Sequence, residues 1–455
     1  MAQKKPQLVY QARGKIMSKN ILHKNRNGCA LHGALKVIDA VEGFAPIIHS
    51  SAGCSIQSKY SENIWAGSNG RNCRGWLESS ATAVIEKQVV FGGTARLREQ
   101  IKNTVKVQAA DLYVVITGCA PEIVGDDVPA MVKEAQEQGF PVISVSAPGF
   151  KGNVYKGYEW TVRSIVERIS QFHLPQQPNQ KLVNILGVVP NQDLLWEGNL
   201  QELDKTLGLL SIKTSKIFGF GQNIESWRNI PNAGLNLVVS PWGLEIAQLL
   251  EKKFGTPYLY FGYLPVGTPD TSRLLTVIGE KLDIPKEVIV QAKLREEKLL
   301  AYQVQKLAQT YIQCDLQKEL ALVGETSNVT GISRFLQNSF GQIVKTVIIT
   351  DNPNDELRRQ IAEDLNTNPN YITETIFASD GKAIDEELLK AKPEVILGSS
   401  LEQKVARKLS IPLIRISTPV FDQVFLNRTY IGYTGAINLM QDFTSALLTN
   451  RNIPE

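Results

Sequence analysis

Three of the five cysteines in this chain directly follow a glycine: Gly28-Cys29, Gly53-Cys54 and Gly118-Cys119. Each pair sits where an apolar run breaks into a turn or a helix-like stretch begins. With glycine near 7% of ordinary sequences, three such pairs among five cysteines arise by chance well under about 1% of the time. Thiolates hold iron–sulfur clusters, and backbone N–H groups directed at the sulfurs tune the cluster's potential. Glycine suits that chemistry because its backbone approaches a bulky group closely and leaves its N–H free. The competing reading is that free cysteines are small buried hydrophobes. No CxxC pair is present, so no standard single-ion motif applies. Three thiolates are one short of a cubane set. Either Cys73, in the polar run NGRNCRGW, completes it or a residue from a partner chain does; the partner is favoured. Cys314, near the end of a long helical stretch, reads as structural.

Other residues have a plainer reading beside the chemical one. Asp126 and Asp127 in VGDDVP fit metal binding or a general base, but a helix cap before Val128-Pro129 is favoured. His49, next to Ser50 and Ser51, fits a proton donor, though a hydrogen-bonded core histidine is the commoner outcome. Lys24 or Arg26 and a helix N-terminus would lower the Cys29 pKa. The Gly-rich runs Val90–Arg96 and Val323–Gly331 resemble phosphate cradles, yet neither fits GxGxxG or the P-loop. Any ATP-driven step therefore belongs to a partner.

These side chains need a scaffold, and the chain has length for one. At 455 residues two or three domains are expected. Continuous apolar runs such as LYVVITG, LVNILGVVP and IVKTVIITD alternate with helical stretches, which implies parallel sheets covered on both faces. The expected architecture is α/β, with three Rossmann-like doubly wound domains over residues 1–175, 176–310 and 311–455. HLPQQPNQK, from His173 to Lys181, is the candidate linker, and Pro285–Gln317 reads as one or two packed helices. The first ~30 residues, polar and basic, read as an arm that packs on another part. A net charge of +4, spread along the chain, gives no support for a nucleic-acid or membrane surface. The N-terminus lacks an apolar signal core, and sparse cysteines argue against a disulfide framework, so a reducing, cytoplasmic setting is expected.

Four segments in order, GCALHGA…APIIHSSAGC, VVFGGTARLREQI, VVITGCAPEIVGDDVPA and APGFKGN, resemble the nitrogenase component 1 (dinitrogenase-type) superfamily. PYLYFGYLPVGTPDT and IPLIRISTPVFDQVFLNRTYIGYTGAINLM resemble its β-type chains more than its α-type. The resemblance implies an iron–sulfur cluster, [4Fe–4S] or a P-cluster-like [8Fe–7S], held by Cys29, Cys54 and Cys119 and shared with an α-like subunit. Gly28, Gly53 and Gly118 would permit the close approach. It also implies an (αβ)₂ heterotetramer and an ATP-hydrolysing iron protein as electron donor. The chain would be part of an oxidoreductase while supplying no catalytic side chain. A scaffold subunit for nitrogenase cofactor assembly, or a reductase for another multiple bond, are the alternatives. Two departures matter. The serine that nitrogenase β subunits carry after the proline of APGF is Gly149 here, which counts against an eight-iron P-cluster and leaves a plain [4Fe–4S] cluster open. The cofactor cysteine and histidine of catalytic α subunits are missing from Val238–Leu244 and Asp422–Tyr433.

Overall fold

The computed structural model describes residues 23–57, 80–169, 179–366 and 372–450. Three parallel sheets follow one another along the chain. The first has the order β2-β1-β3-β4, from β1 (Phe44–His49), β2 (Ser80–Ala81), β3 (Leu112–Thr117) and β4 (Val142–Ser146). The second is β6-β5-β7-β8, from β5 (Asn179–Leu186), β6 (Lys213–Ser215), β7 (Ala233–Val238) and β8 (Tyr258–Tyr260). The third is β11-β10-β9-β12-β13, from β9 (Glu319–Gly324), β10 (Ile343–Ile349), β11 (Glu374–Phe377), β12 (Val395–Gly398) and β13 (Leu413–Arg415). Every strand pairing is parallel, among the described residues. This is the α/β architecture that the apolar runs imply.

The central strands are apolar because helices cover both faces, while the short edge strands β2, β6 and β11 carry polar residues. In β1, β3 and β7 every residue is buried. Pro46 lies inside β1, where it lacks a ladder donor, and the pairing with β2 begins only at Ile47. On one face of the first sheet, helices Ala30–Asp39 and Val154–Ile169 cross closely. At Gly33 and Gly157 a Cβ would come against the backbone of Val154 and Ala30. One apolar core runs from Leu35 and Val114 through Val183 and Leu237 to Leu322 and Ile349, joining all three sheets. The stretch from Pro285 proves to be a single helix, Lys286–Gln313, with Cys314 at its end. The linker expectation falls mostly outside the described residues.

In an open parallel sheet the crevice forms beyond the carboxyl ends of the strands, where the strand order reverses. In the second and third sheets those ends meet in a buried polar junction. Asp193 accepts from Asn328 at 2.9 Å and Asn199 at 3.0 Å, Asp351 from Trp242 at 2.8 Å and Thr326 at 2.9 Å. Glu325, bonded to Asn328, lies between them and is pushed up to about 8 by burial, with Asp193 and then Asp351 adding to the rise. The junction is filled by this chain's own side chains; Trp242 also stacks on Tyr155, with ring centroids 5.3 Å apart.

This junction makes stability depend on pH with a definite sign. Between Glu325's ordinary value of 4.5 and about 8, the folded chain keeps a proton that the unfolded chain has released. Its contribution is therefore complete below pH 4.5 and is lost as pH rises through about 8. Glu325→Gln keeps an oxygen for Asn328 and removes the titration. Thermal unfolding at a series of pH values should show the variant gaining on the parent as pH rises, by on the order of a few kcal/mol above pH 8.

Candidate metal centre

The first sheet reverses its order between β1 and β3, and two cysteines follow those strands. Cys119 opens helix Cys119–Val124 immediately after β3, with Gly118 in extended conformation as its N-cap. Cys54 follows β1 but lies in the first turn of helical residues 52–57, where the sequence suggests only a turn. Cys29 is the N-cap of helix Ala30–Asp39. All three thiols thus sit at helix N-termini, whose unpaired N–H groups and dipoles favour negative charge.

A point between the thiols shows how they converge. A Cβ built on Gly149, in the turn after β4, would lie 3.4 Å from Cys29 Sγ, 3.6 Å from Cys119 Sγ and 2.9 Å from Cys29 Cβ. The Gly149 N–H also donates to Cys119 Sγ over 3.2 Å. Burial pushes the Cys29 thiol up, backbone hydrogen bonds from His32 and Leu31 pull it back, and nearby Cys54 and Cys119 raise it again by like-charge repulsion. This corrects the expectation that Lys24 or Arg26 would lower it. The Arg26 guanidinium is turned away and paired with Glu402 at 2.5 Å. Cys54 Sγ faces Ser51 Oγ at 3.5 Å.

His32 is a neighbour that sequence reading passes over. Its Nδ1 lies 3.3 Å from both the Cys29 N–H and Cys29 Sγ. Burial, then Lys36, pushes its pKa down to about 4, so the ring is neutral near pH 7. One turn along a helix from an N-cap cysteine is where such a contact falls, so the spacing was available in the sequence.

The carboxylates take the plainer roles. Asp127 caps helix Val128–Glu137 by accepting from the Ala130 N–H at 3.1 Å. Asp126 reaches His49 Nε2 at 3.0 Å and accepts from the Gly93 N–H at 2.6 Å. His49 Nδ1 lies 3.0 Å from Thr82 Oγ1, and burial lowers its pKa more than Asp126 raises it. This buried group ties together the turns beyond β1, β2 and β3. The Gly93 amide is committed to that work rather than to a phosphate.

The three glycines before the cysteines differ. At Gly118 a Cβ would come within 2.7 Å of Ser50 Cβ, so its smallness serves packing inside the chain. At Gly28 it would press on His32 at 3.1 Å, and at Gly53 it would meet nothing within 4 Å. Beyond the thiols the surface is open and apolar: Ile56, Ile123 and Phe150 are 68%, 74% and 57% exposed, and Val90 and Phe91 lie on the adjacent helix Glu86–Phe91. Among the described residues, no three His, Cys, Asp or Glu side chains are grouped to hold a single metal ion. A cluster sets iron and sulfide between its thiolates and takes a wider set. Two sulfurs flanking one point, an amide aimed at one of them and a third thiol nearby fit part of such a set. Cys73 lies outside the described residues. Cys314, at the far end of the molecule's long helix, is not brought here.

Residues 29–448 match the profile of the nitrogenase component 1 type oxidoreductases. The chain is 28% identical over 464 residues to the nitrogenase molybdenum-iron protein beta chain of Methanothermobacter marburgensis, covering 94% of each. It is 23% identical to the nitrogenase molybdenum-iron protein beta chain of Azotobacter vinelandii, covering 92% of this chain and 83% of that one. Among solved structures, nitrogenase Cp1 at pH 6.5 superposes with a TM-score of 0.78 at 21% identity, over 96% of this chain and 95% of the other.

The glycines supply a test of the geometry. Gly118→Ala forces the turn against Ser50 and should cost about 1–3 kcal/mol, read as a lowered melting temperature. Gly53→Ala, in a helical turn with open space ahead, should be neutral or stabilising by up to about 1 kcal/mol.

Proposed function

The chain belongs to the nitrogenase component 1 type oxidoreductases, and from that membership we propose that it is the β-like subunit of a nitrogenase-type reductase. In this reading Cys29, Cys54 and Cys119 hold an iron–sulfur cluster shared with an α-like subunit, in a cytoplasmic (αβ)₂ assembly. The electron donor is an ATP-hydrolysing iron protein. The observation that carries the reading is that the Cys29 and Cys119 sulfurs both approach Gly149, 3.4 and 3.6 Å from where its Cβ would lie, with Cys54 close by.

When bound, the cluster supplies one-electron acceptance and release. The protein's part is to keep the thiolates still. Cys54 and Cys119 follow buried parallel strands, which move little when charge changes beside them. The Gly149 amide and the helix N-termini stabilise the negative charge of the ligated state. A ligand set that is incomplete among the described residues, beside exposed Ile56, Ile123 and Phe150, supports completion by a partner chain. The segment where catalytic α subunits hold their cofactor cysteine carries Trp242, committed to Asp351 and Tyr155. That supports a chain which passes electrons on and supplies no catalytic side chain.

The scaffold reading has Gly149 in its favour, since no side chain there can join the cluster. A scaffold hands its cluster on, whereas an electron relay keeps it. The discriminating experiment is anaerobic co-purification with the α-like partner, then iron counting and EPR through repeated reduction and oxidation, for the parent and Cys54→Ala. The relay reading expects iron and signal to persist in the parent, and the variant to lose most of both and to hold its partner weakly. Unchanged iron in Cys54→Ala removes that residue from the ligand set, and loss of iron to an acceptor protein supports the scaffold.

A further inference from the structure

Cys29 differs from the other two thiols in having no strand behind it. The residues before it, Lys24 to Gly28, run along the third sheet, far away in sequence. The Lys24 N–H donates to Asp380 Oδ1 at 2.9 Å, and its carbonyl accepts from the Gly381 N–H at 2.9 Å. Asn27 Nδ2 donates to the carbonyl of Thr350, beyond β10, at 2.9 Å. Between them Arg26 enters the core. Its Nη1 meets Glu402 Oε1 at 2.5 Å and its Nη2 donates to Ser417 Oγ at 3.1 Å. Both charged side chains are only 1% exposed.

Glu402 is itself fixed. It lies in the turn after β12 and accepts from the Ser399 N–H at 2.7 Å and Ser399 Oγ at 2.8 Å. Ser417, beyond β13, donates to the Val323 carbonyl at 2.8 Å. The Arg26 guanidinium therefore grips the carboxyl ends of the third sheet. Around Cys29 itself the turn before helix Val154–Ile169 takes over: Val154 N–H donates to the Gly28 carbonyl, just before the thiol, and Ala30 N–H to the Gly152 carbonyl, just after it, each at 3.0 Å.

We propose that Arg26 is a positioning residue for Cys29: its buried ion pair with Glu402 anchors the strap Lys24–Asn27 to the third sheet and so sets the thiol's place. The proposal rests on the reading of Cys29 as a cluster ligand. Only Asn27 and Gly28 separate the anchor from the thiol, and glycine is the freest joint a chain has. Without the anchor, that joint would lose its hold on the third sheet and rest on the Gly28–Val154 bond. The pair is poorly explained as a source of stability. Burying two charges offsets most of their attraction, and Arg26 Nε has no partner among the described residues. Such pairs are best attested where they fix register. The third sheet then bears on the cluster site without touching it.

The test uses the full chain with its co-purified partner, stripped of iron by chelation, and compares iodoacetamide labelling of Cys29, Cys54 and Cys119 by peptide mass mapping. In Arg26→Ala, Cys29 should label about tenfold faster, with Cys54 and Cys119 within about twofold of the parent. Glu402→Gln should move Cys29 in the same direction, and Arg26→Lys should recover part of the protection. Where Arg26→Ala fails to fold, the double variant Arg26→Met, Glu402→Gln, which buries no lone charge, reads the same quantity. Unchanged Cys29 labelling in a folded variant overturns the proposal, as does equal acceleration of all three thiols. Iron content of the unstripped parent is read separately. A parent without iron removes the cluster reading, while selective Cys29 exposure still establishes the anchor.

Discussion

A parallel sheet brings the carboxyl ends of its strands to one edge, and the candidate metal centre depends on that constraint. Adjacent β1 and β3 deliver the Cys54 and Cys119 turns side by side because the strand order reverses between them. β4, next to β3, brings Gly149 to the same edge. No single loop could hold the thiols so far apart in sequence and so close in space. Buried apolar strands supply the rigidity, and the His49–Asp126 pair joins the loops that the strands leave free.

Electrostatics at this edge keeps the thiols protonated in the bare chain. Burial raises Cys29, and its two neighbours raise it further, so ionising the sulfurs without a compensating cation is unfavourable. In the proposed cluster-bound state, iron would take the place of those protons and supply the positive charge that mutual repulsion of thiolates calls for. Because those surroundings hold the protons in the bare chain, loading such a site with metal grows easier as pH rises. His32 stays neutral and contributes no competing charge.

Much of this was legible from residue order. Apolar runs broken by glycine marked the central strands of all three sheets but not the short edge strands β2, β6 and β11, and the Gly-Cys pairs marked two strand ends and one helix start. The cap at Asp127 followed from Val128-Pro129. Other features were hidden because they join distant segments. Nothing local pairs His49 with Asp126, or Arg26 with Glu402 across 376 residues. Reading Arg26 as a charge acting on Cys29 failed for that reason: proximity in sequence said nothing of where its guanidinium is spent. The three Gly-Cys pairs look alike in sequence, yet Gly118 is demanded by Ser50 while Gly53 faces open space.

That last contrast bears on how the subunit meets its partner. Among the described residues, a Cβ at Gly53 would meet nothing within 4 Å, so none of them asks this position to be small. Gly53 precedes a cysteine, on a helical turn where alanine is the better residue by about 1 kcal/mol. Its neighbours on the open side, Ile56, Ile123 and Phe150, are apolar and exposed. A second chain pressed against this turn accounts for both facts: it would cover the apolar side chains and need the space that Gly53 leaves. Within the proposed shared-cluster assembly, the small residue and the exposed rim are two parts of one fit.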